Sequence, residues 1–300
     1  MGNNPQKESS QEDYKNLVLQ RSEEIQALGK FDVYEDVQTN LYYLAFESTY
    51  AITNQEIAEA EISQLRKLDA LKNGCKMISS TVGKSQLLCF ENYSIKLTFE
   101  YFPDNVQLLA KTKGQNPVPK ESEIWQLNSD LVNYLIELNS FGLSHGDLQP
   151  KNILFNKNRV VKIICPLIFS TYQNAYKLRL ANDDYHSTFA PELLTEYQNR
   201  VNSPSYDPVR ADIFSLGICL LCYIHSDNFG MYYDFKANTV ILERVKNSLS
   251  MMIKKQYSEE LFFFVNLCLK QNPFERATLD DLLRIIRKTQ QSRGELNTWR

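Results

Sequence analysis

The hydrophobic pattern of this 300-residue chain changes period once, near residue 120, and that change constrains the fold more than any other feature. Val33, Tyr34, Val37, Leu41, Tyr42, Tyr43, Leu44 and Phe46 give residues 33–47 a β-branched and aromatic enrichment, which predicts two strands with a turn near Thr39-Asn40. Ile57, Ala58, Ile62, Leu65, Leu68 and Leu71 then recur at helical spacing, behind a cap at Thr53 or Asn54. Strand character returns over 85–102, with Leu87, Leu88, Phe90, Ile95, Leu97, Phe99, Tyr101 and Phe102, and stops at Pro103. Beyond residue 120, Ile124, Leu127, Leu131, Leu135 and Leu138 predict a long amphipathic helix, and further helices are expected over 209–225, 258–270 and 278–289. Strands with one helix, followed by helices, predict an α+β chain. Its small sheet-rich N-lobe would span 25–102 and its larger helical C-lobe 103–290, between polar tails at 1–24 and 291–300.

Composition narrows the function classes. Ten Gly, ten Pro and 43% apolar residues exclude collagen-like, low-complexity and disordered chains. With 33 Lys+Arg against 36 Asp+Glu, the net charge of -3 gives no electrostatic case for a nucleic-acid partner. The six cysteines lie scattered in apolar stretches, as reduced thiols of a cytoplasmic protein would, and Cys219-x-x-Cys222 lacks a second Cys or His pair to complete a zinc site. The longest nearly apolar run, Ile213 to Ile224, falls short of the ~20 residues that span a bilayer, so no transmembrane segment is expected. Gly2 carries a weak N-acylation signal, because Gln6 stands where Ser or Thr is preferred.

Behind the long helix comes His145-Gly146-Asp147-Leu148-Gln149-Pro150-Lys151-Asn152-Ile153-Leu154. An Asp followed five residues later by an Asn resembles the catalytic loop of the eukaryotic protein kinase superfamily, in which the Asp accepts the substrate hydroxyl proton and the Asn holds magnesium. Three further motifs follow in the family's order. Phe189-Ala190-Pro191-Glu192 resembles its A-P-E, Asp212-Ile213-Phe214-Ser215-Leu216-Gly217 its central buried helix, and Asn272-Pro273-Phe274-Glu275-Arg276 its late helix. The resemblance implies a bilobal kinase fold over roughly 28–290. It makes His145, Glu192, Asp212 and Arg276 structural landmarks, with Arg276 pairing to Glu192. Thr98-Phe99-Glu100-Tyr101-Phe102 resembles the hinge, with Phe99 as gatekeeper and Glu100 beside the nucleotide. His145-Gly146-Asp147 also resembles the loop of small-molecule kinases of the aminoglycoside and choline type, which lack the A-P-E and central-helix motifs.

The phosphate-handling parts depart from the family. No glycine lies between Gly29 and Gly74, so a loop whose amides approach phosphate unhindered by Cβ atoms cannot form. Aligning Leu44-Ala45-Phe46-Glu47 with V-A-I-K puts Glu47 at the lysine position, and the helix places Glu61 as its partner. Two carboxylates ~5 Å apart would repel by ~3 kcal/mol at an effective dielectric of ~20. Cys165-Pro166-Leu167 stands where the metal-binding D-F-G is implied, and a thiol is a poor magnesium ligand. Gly146 replaces the Arg that clasps an activation-segment phosphate, so Ser170, Thr171, Ser187 or Thr188 would lack that clamp, and Gln149 replaces a Lys for which Lys151 is a partial substitute. The resemblance, with these losses, implies a pseudokinase that acts through a protein partner, with ATP absent or weak and magnesium at Asn152 only in an active enzyme. The other reading is an active Ser/Thr protein kinase using Asp147 and Asn152, with Lys30, Lys72, Lys76 or Lys84 reaching the phosphates. Residues 225–257, with Tyr232, Tyr233 and Phe235, and the polar tail are candidates for the partner surface.

Overall fold

Period-two residues pair into one antiparallel sheet of five strands in the order β1-β2-β3-β5-β4. The computed structural model describes residues 16–25, 29–48, 52, 54–87, 90–111, 118–156, 158–164 and 174–292. Its residues divide into two units, one running to Ile62 and resuming at Lys76–Phe102, the other comprising Ser63–Cys75 and everything from Pro103.

The first unit holds β1 (Leu17–Ile25), β2 (Gly29–Asp36), β3 (Leu41–Ser48), β4 (Met77–Leu87) and β5 (Phe90–Tyr101), with most of helix α1 (Gln55–Lys67). The β2–β3 turn closes where the sequence predicts: Asp36 accepts from the amide of Gln38 at 2.9 Å, and Asn40 takes φ 55°, a left-handed value that Asn tolerates. Asn54 caps α1 by accepting from the Glu56 amide at 2.8 Å; Thr53 lies outside the described residues. Alternate residues Phe31, Val33, Leu44, Phe46, Leu97 and Phe99 are buried on one face, with the Phe31 and Phe46 rings 4.9 Å apart. Each such side chain contributes roughly 1.5–3 kcal/mol on leaving water.

The expected tail at 1–24 requires correction, because Leu17–Ile25 is a strand. β4 likewise begins at Met77, earlier than expected. Both are edge strands, and an edge strand paired on one side alone carries polar residues that blur alternation.

The second unit begins with β6 (Asp104–Asn105), α2 (Val106–Lys111) and the long α3 (Glu121–Ser140). β7 (Ile153–Phe155) pairs with β6 on one side and β8 (Val161–Ile163) on the other, in a three-stranded sheet. Then come α4 (Ala175–Ala181), α5 (Pro191–Gln198), α6 (Pro208–His225), β9 (Tyr233–Asp234), β10 (Thr239–Val240), α7 (Leu242–Lys254), α8 (Glu259–Cys268) and α9 (Leu279–Ser292). Asp207 starts α6 by accepting from the amides of Val209 and Arg210 at 2.9 and 3.0 Å, while Pro208 supplies a preset φ at the first position. Every residue from Ala211 to His225 is buried. By length and composition α6 would suit a membrane, yet 83% of it is buried inside this unit, which makes it a core helix. Gly217 permits the close approach of α8: a Cβ there would stand 2.7 Å from Leu269 carbons.

Cys219, Cys222 and Cys268 are free and buried, so the Cys219-x-x-Cys222 pair packs the core. Tyr232 and Tyr233 are core residues as well, not a partner surface. α2, α4, α5 and α7 were not expected; in α7, Val245, Leu249 and Met252 form the buried stripe.

Candidate active site

Gly142, at φ 72°, ends α3 in a left-handed turn, and the chain then runs across α6 toward β7. Asp212 of α6 fixes that run. Its carboxylate accepts from the backbone amides of His145 at 2.6 Å and Gly146 at 2.9 Å. Burial pushes the Asp212 carboxyl up to about 7, against the pull of the two amides and with the push of the Asp147 and Asp207 charges. His145 is fully buried; its Nδ1 accepts from the Asp147 amide at 3.2 Å, leaving Nε2 to donate to the Ile164 carbonyl at 3.2 Å. Burial lowers its imidazole to about 4, so it remains a neutral packing residue.

Asp147 is enclosed on every side. Oδ1 accepts from Gln149 at 2.5 Å and Ser187 at 2.7 Å, and Oδ2 from Tyr185 at 2.8 Å and Asn152 at 3.2 Å. A carboxylate offers about four acceptor positions, and donors from within the chain take them. Burial raises the carboxyl, while the Lys151 charge and the hydroxyl and amide donors pull it back. Asn152 is also buried and gives its amide to the Asp147 carbonyl at 2.8 Å. Lys151 lies over the Tyr185 ring, 5.3 Å from its centre.

Tyr185 and Ser187 both reach back to the catalytic loop from the segment before α5. Thr188 donates to the Leu148 carbonyl, and Ser215 of α6 donates to the Thr188 carbonyl at 2.6 Å. The Ser187 and Thr188 hydroxyls are therefore buried and engaged, which corrects their reading as phosphate acceptors. Sequence reasoning missed the role of Tyr185; the signal was the Tyr-x-Ser alternation just before Phe189-Ala190-Pro191-Glu192.

Arg276 and Glu192 form a bidentate pair at 2.9 and 3.0 Å. The buried guanidinium also donates to the carbonyls of Lys270, Arg210 and Gln271. This pairing ties the start of α5 to the turn before α9, with every donor direction occupied.

In the first unit, Glu47 meets a cation. Register sets Glu47 opposite Lys30 on β2 and Lys96 on β5, and Lys96 closes to 3.0 Å. This ion pair is half-exposed and worth under ~1 kcal/mol. Lys30 bonds Asp32 at 2.9 Å instead. Glu61 is half-buried on α1. Phe99 is buried on β5, and the Glu100 carboxylate accepts from the Lys76 amide at 2.9 Å. Cys165, Pro166, Leu167, Ser170 and Thr171 lie outside the described residues.

No group of three His, Cys, Asp or Glu side chains that could hold a metal occurs among the described residues. The Asn152 side chain spends its N–H donors on Asp147, which leaves its oxygen as the atom a magnesium ion would use.

A five-stranded sheet unit, a helical unit built around α6, and an Asp–Asn loop hung on an α6 carboxylate together define the protein-kinase class of fold. The protein kinase domain profile matches residues 45–285, and the chain belongs to that family. The serine/threonine-protein kinase ppk11 of Schizosaccharomyces pombe is 30% identical over 196 residues, 64% of this chain and 58% of its own length. Kin-29 of Caenorhabditis elegans, also a serine/threonine-protein kinase, is 32% identical over 158 residues, 52% of this chain and 17% of its own. The putative tyrosine-protein kinase C03B1.5 of Caenorhabditis elegans is 29% identical over 184 residues, 59% of this chain and 52% of its own. The chain thus spans less than two thirds of the length of each.

Proposed function

We propose that this kinase-domain chain is a pseudokinase, which acts by binding or allosterically regulating a protein partner and transfers phosphate poorly or not at all. The enclosure of Asp147 carries the reading. A catalytic base must take a substrate hydroxyl within hydrogen-bond reach, and here Gln149, Ser187, Tyr185 and Asn152 hold both carboxylate oxygens. Glu47 at the lysine position supports it, since its carboxylate is taken up by Lys96 and offers a phosphate no cation of its own. ATP binding is absent or weak on this reading. The buried free thiols suit the reducing cytoplasm.

The competing reading, an active Ser/Thr protein kinase, draws on the relatives at about 30% identity and on Lys30 and Lys96 standing either side of Glu47. Transfer of radiolabelled phosphate from ATP to the chain itself or to a generic protein substrate separates the two. No transfer above background is expected. Transfer that disappears in Asp147→Asn establishes the enzyme instead. A magnesium-dependent rise in melting temperature on adding ATP points the same way.

A further inference from the structure

Arg179 on α4 is 2% exposed, and no carboxylate lies within ion-pair distance of it among the described residues. Nη2 donates to the Asn238 side chain at 2.5 Å, while Nε and Nη1 have no acceptor. Burying a guanidinium in this way is costly unless something else holds it. Three rings do so: Tyr197 at 4.6 Å, Phe189 at 5.5 Å and Phe235 at 5.8 Å from the guanidinium carbon. They come from α5, from the strip before it and from the loop after β9, so one planar cation joins three segments.

The rings are themselves stacked. His186 lies on Phe235 with centroids 4.0 Å apart and planes 3° from parallel, Phe235 lies on Tyr233 at 5.6 Å and 7°, and Tyr233 donates to the Phe189 carbonyl at 3.1 Å. The titratable groups facing Arg179 are His186 on the strip, whose imidazole burial and the Arg179 charge hold below its usual range, and Asp183, whose carboxylate accepts from Tyr197 at 2.5 Å and pairs with Arg200 at 3.5 Å. The strip over 185–189 therefore serves two partners. Tyr185, Ser187 and Thr188 bond the catalytic loop, while His186 and Phe189 belong to the Arg179 cluster.

We propose that Arg179 is a positioning residue, which pins the strip 185–189 onto the catalytic loop from within the chain and keeps Asp147 enclosed without any phosphate on the segment. Gly146 has no side chain to clasp a phosphate, and the Ser187 and Thr188 hydroxyls are already engaged. Arg179 holds the strip in this way whether or not the chain transfers phosphate.

The test follows amide hydrogen exchange of residues 185–190 in the full chain, before and after phosphatase treatment, with α3 amides as internal reference. The wild type should hold its protection within about twofold after phosphatase. Arg179→Met keeps the stem and loses the planar cation, and should lose about 10- to 100-fold of protection in the strip, as desolvated cation–π contacts imply. Arg179→Lys keeps the charge without the plane and should recover part of that loss. In NMR titrations, the Asp147 side-chain carboxyl should move toward the ordinary carboxylate range in Arg179→Met, because the strip no longer buries it. Protection that collapses on phosphatase treatment overturns the proposal. So does wild-type protection in Arg179→Met, or a loss in α3 as large as that in the strip.

Discussion

Tyr185→Phe deletes one oxygen and leaves the ring in place under Lys151. That oxygen is the 2.8 Å donor to Asp147 Oδ2, whose remaining donor is Asn152 at the longer 3.2 Å. A hydrogen bond to a buried charged group contributes roughly 1.5–3 kcal/mol, so a loss of about 2 kcal/mol is expected where Asp147 is ionised. The pH dependence gives the sharper test. Burial raises the Asp147 carboxyl, and the tyrosine donor opposes that rise. A carboxyl raised on folding adds stability that is present in acid and lost as pH climbs through its folded value. Removing the donor lifts that value further, so the cost of Tyr185→Phe should be small in acid and grow with pH to its full size. Urea unfolding of both proteins, from about pH 5 to about pH 8, measures this directly. A cost that is flat across the range, or below ~0.5 kcal/mol at its upper end, refutes the enclosed-carboxylate picture.

Glu192→Ala strands the buried Arg276 guanidinium with carbonyls alone and should cost ~3–5 kcal/mol in chemical denaturation. Gly217→Ala drives a methyl group to 2.7 Å from Leu269 and should cost ~1–3 kcal/mol, visible as a lowered melting temperature. His145 and Asp212 oppose each other in acid. The contribution of His145, lowered from 6.5, is lost as pH falls through about 4, whereas that of Asp212, raised from 3.8, is lost as pH rises through about 7. His145→Gln should therefore expose a stability that declines with rising pH between these values, by at most ~1.4 kcal/mol per pH unit. Closely spaced unfolding measurements would show it.

The parts of this fold that were legible in the sequence are those whose signal is local. Helical spacing is read within one segment, as from Ile124 to Leu138 of α3, and the Asp147–Asn152 loop is a contiguous string. The edge strands β1 and β4 were obscured because one-sided pairing lets them be polar: their apolar residues cluster at Leu17–Leu19 and Met77–Ile78 and then give way to runs such as Gln20–Glu24 and Ser79–Thr81, without period-two alternation. What closes the site was out of reach for a different reason. Tyr185 and Ser187 reach Asp147 across 38 and 40 residues, Lys96 meets Glu47 only through strand register, and Arg179 gathers rings from three segments. Such contacts depend on folded geometry, which spacing along the chain does not encode. α7 is the exception, since Val245, Leu249 and Met252 already stood at helical intervals.

The burial of α6 has a consequence for how the chain is made. A helix without a solvent face is safe only when its neighbours exist, and α7 and α8, which pack on it, are encoded after it. At ~5–20 residues synthesised per second, a rod apolar enough for a lipid bilayer waits for seconds before residues 242–268 arrive to cover it. Chains cut short after His225 would present that rod permanently, and their fate would be capture by holdases or misdirection to a membrane rather than folding.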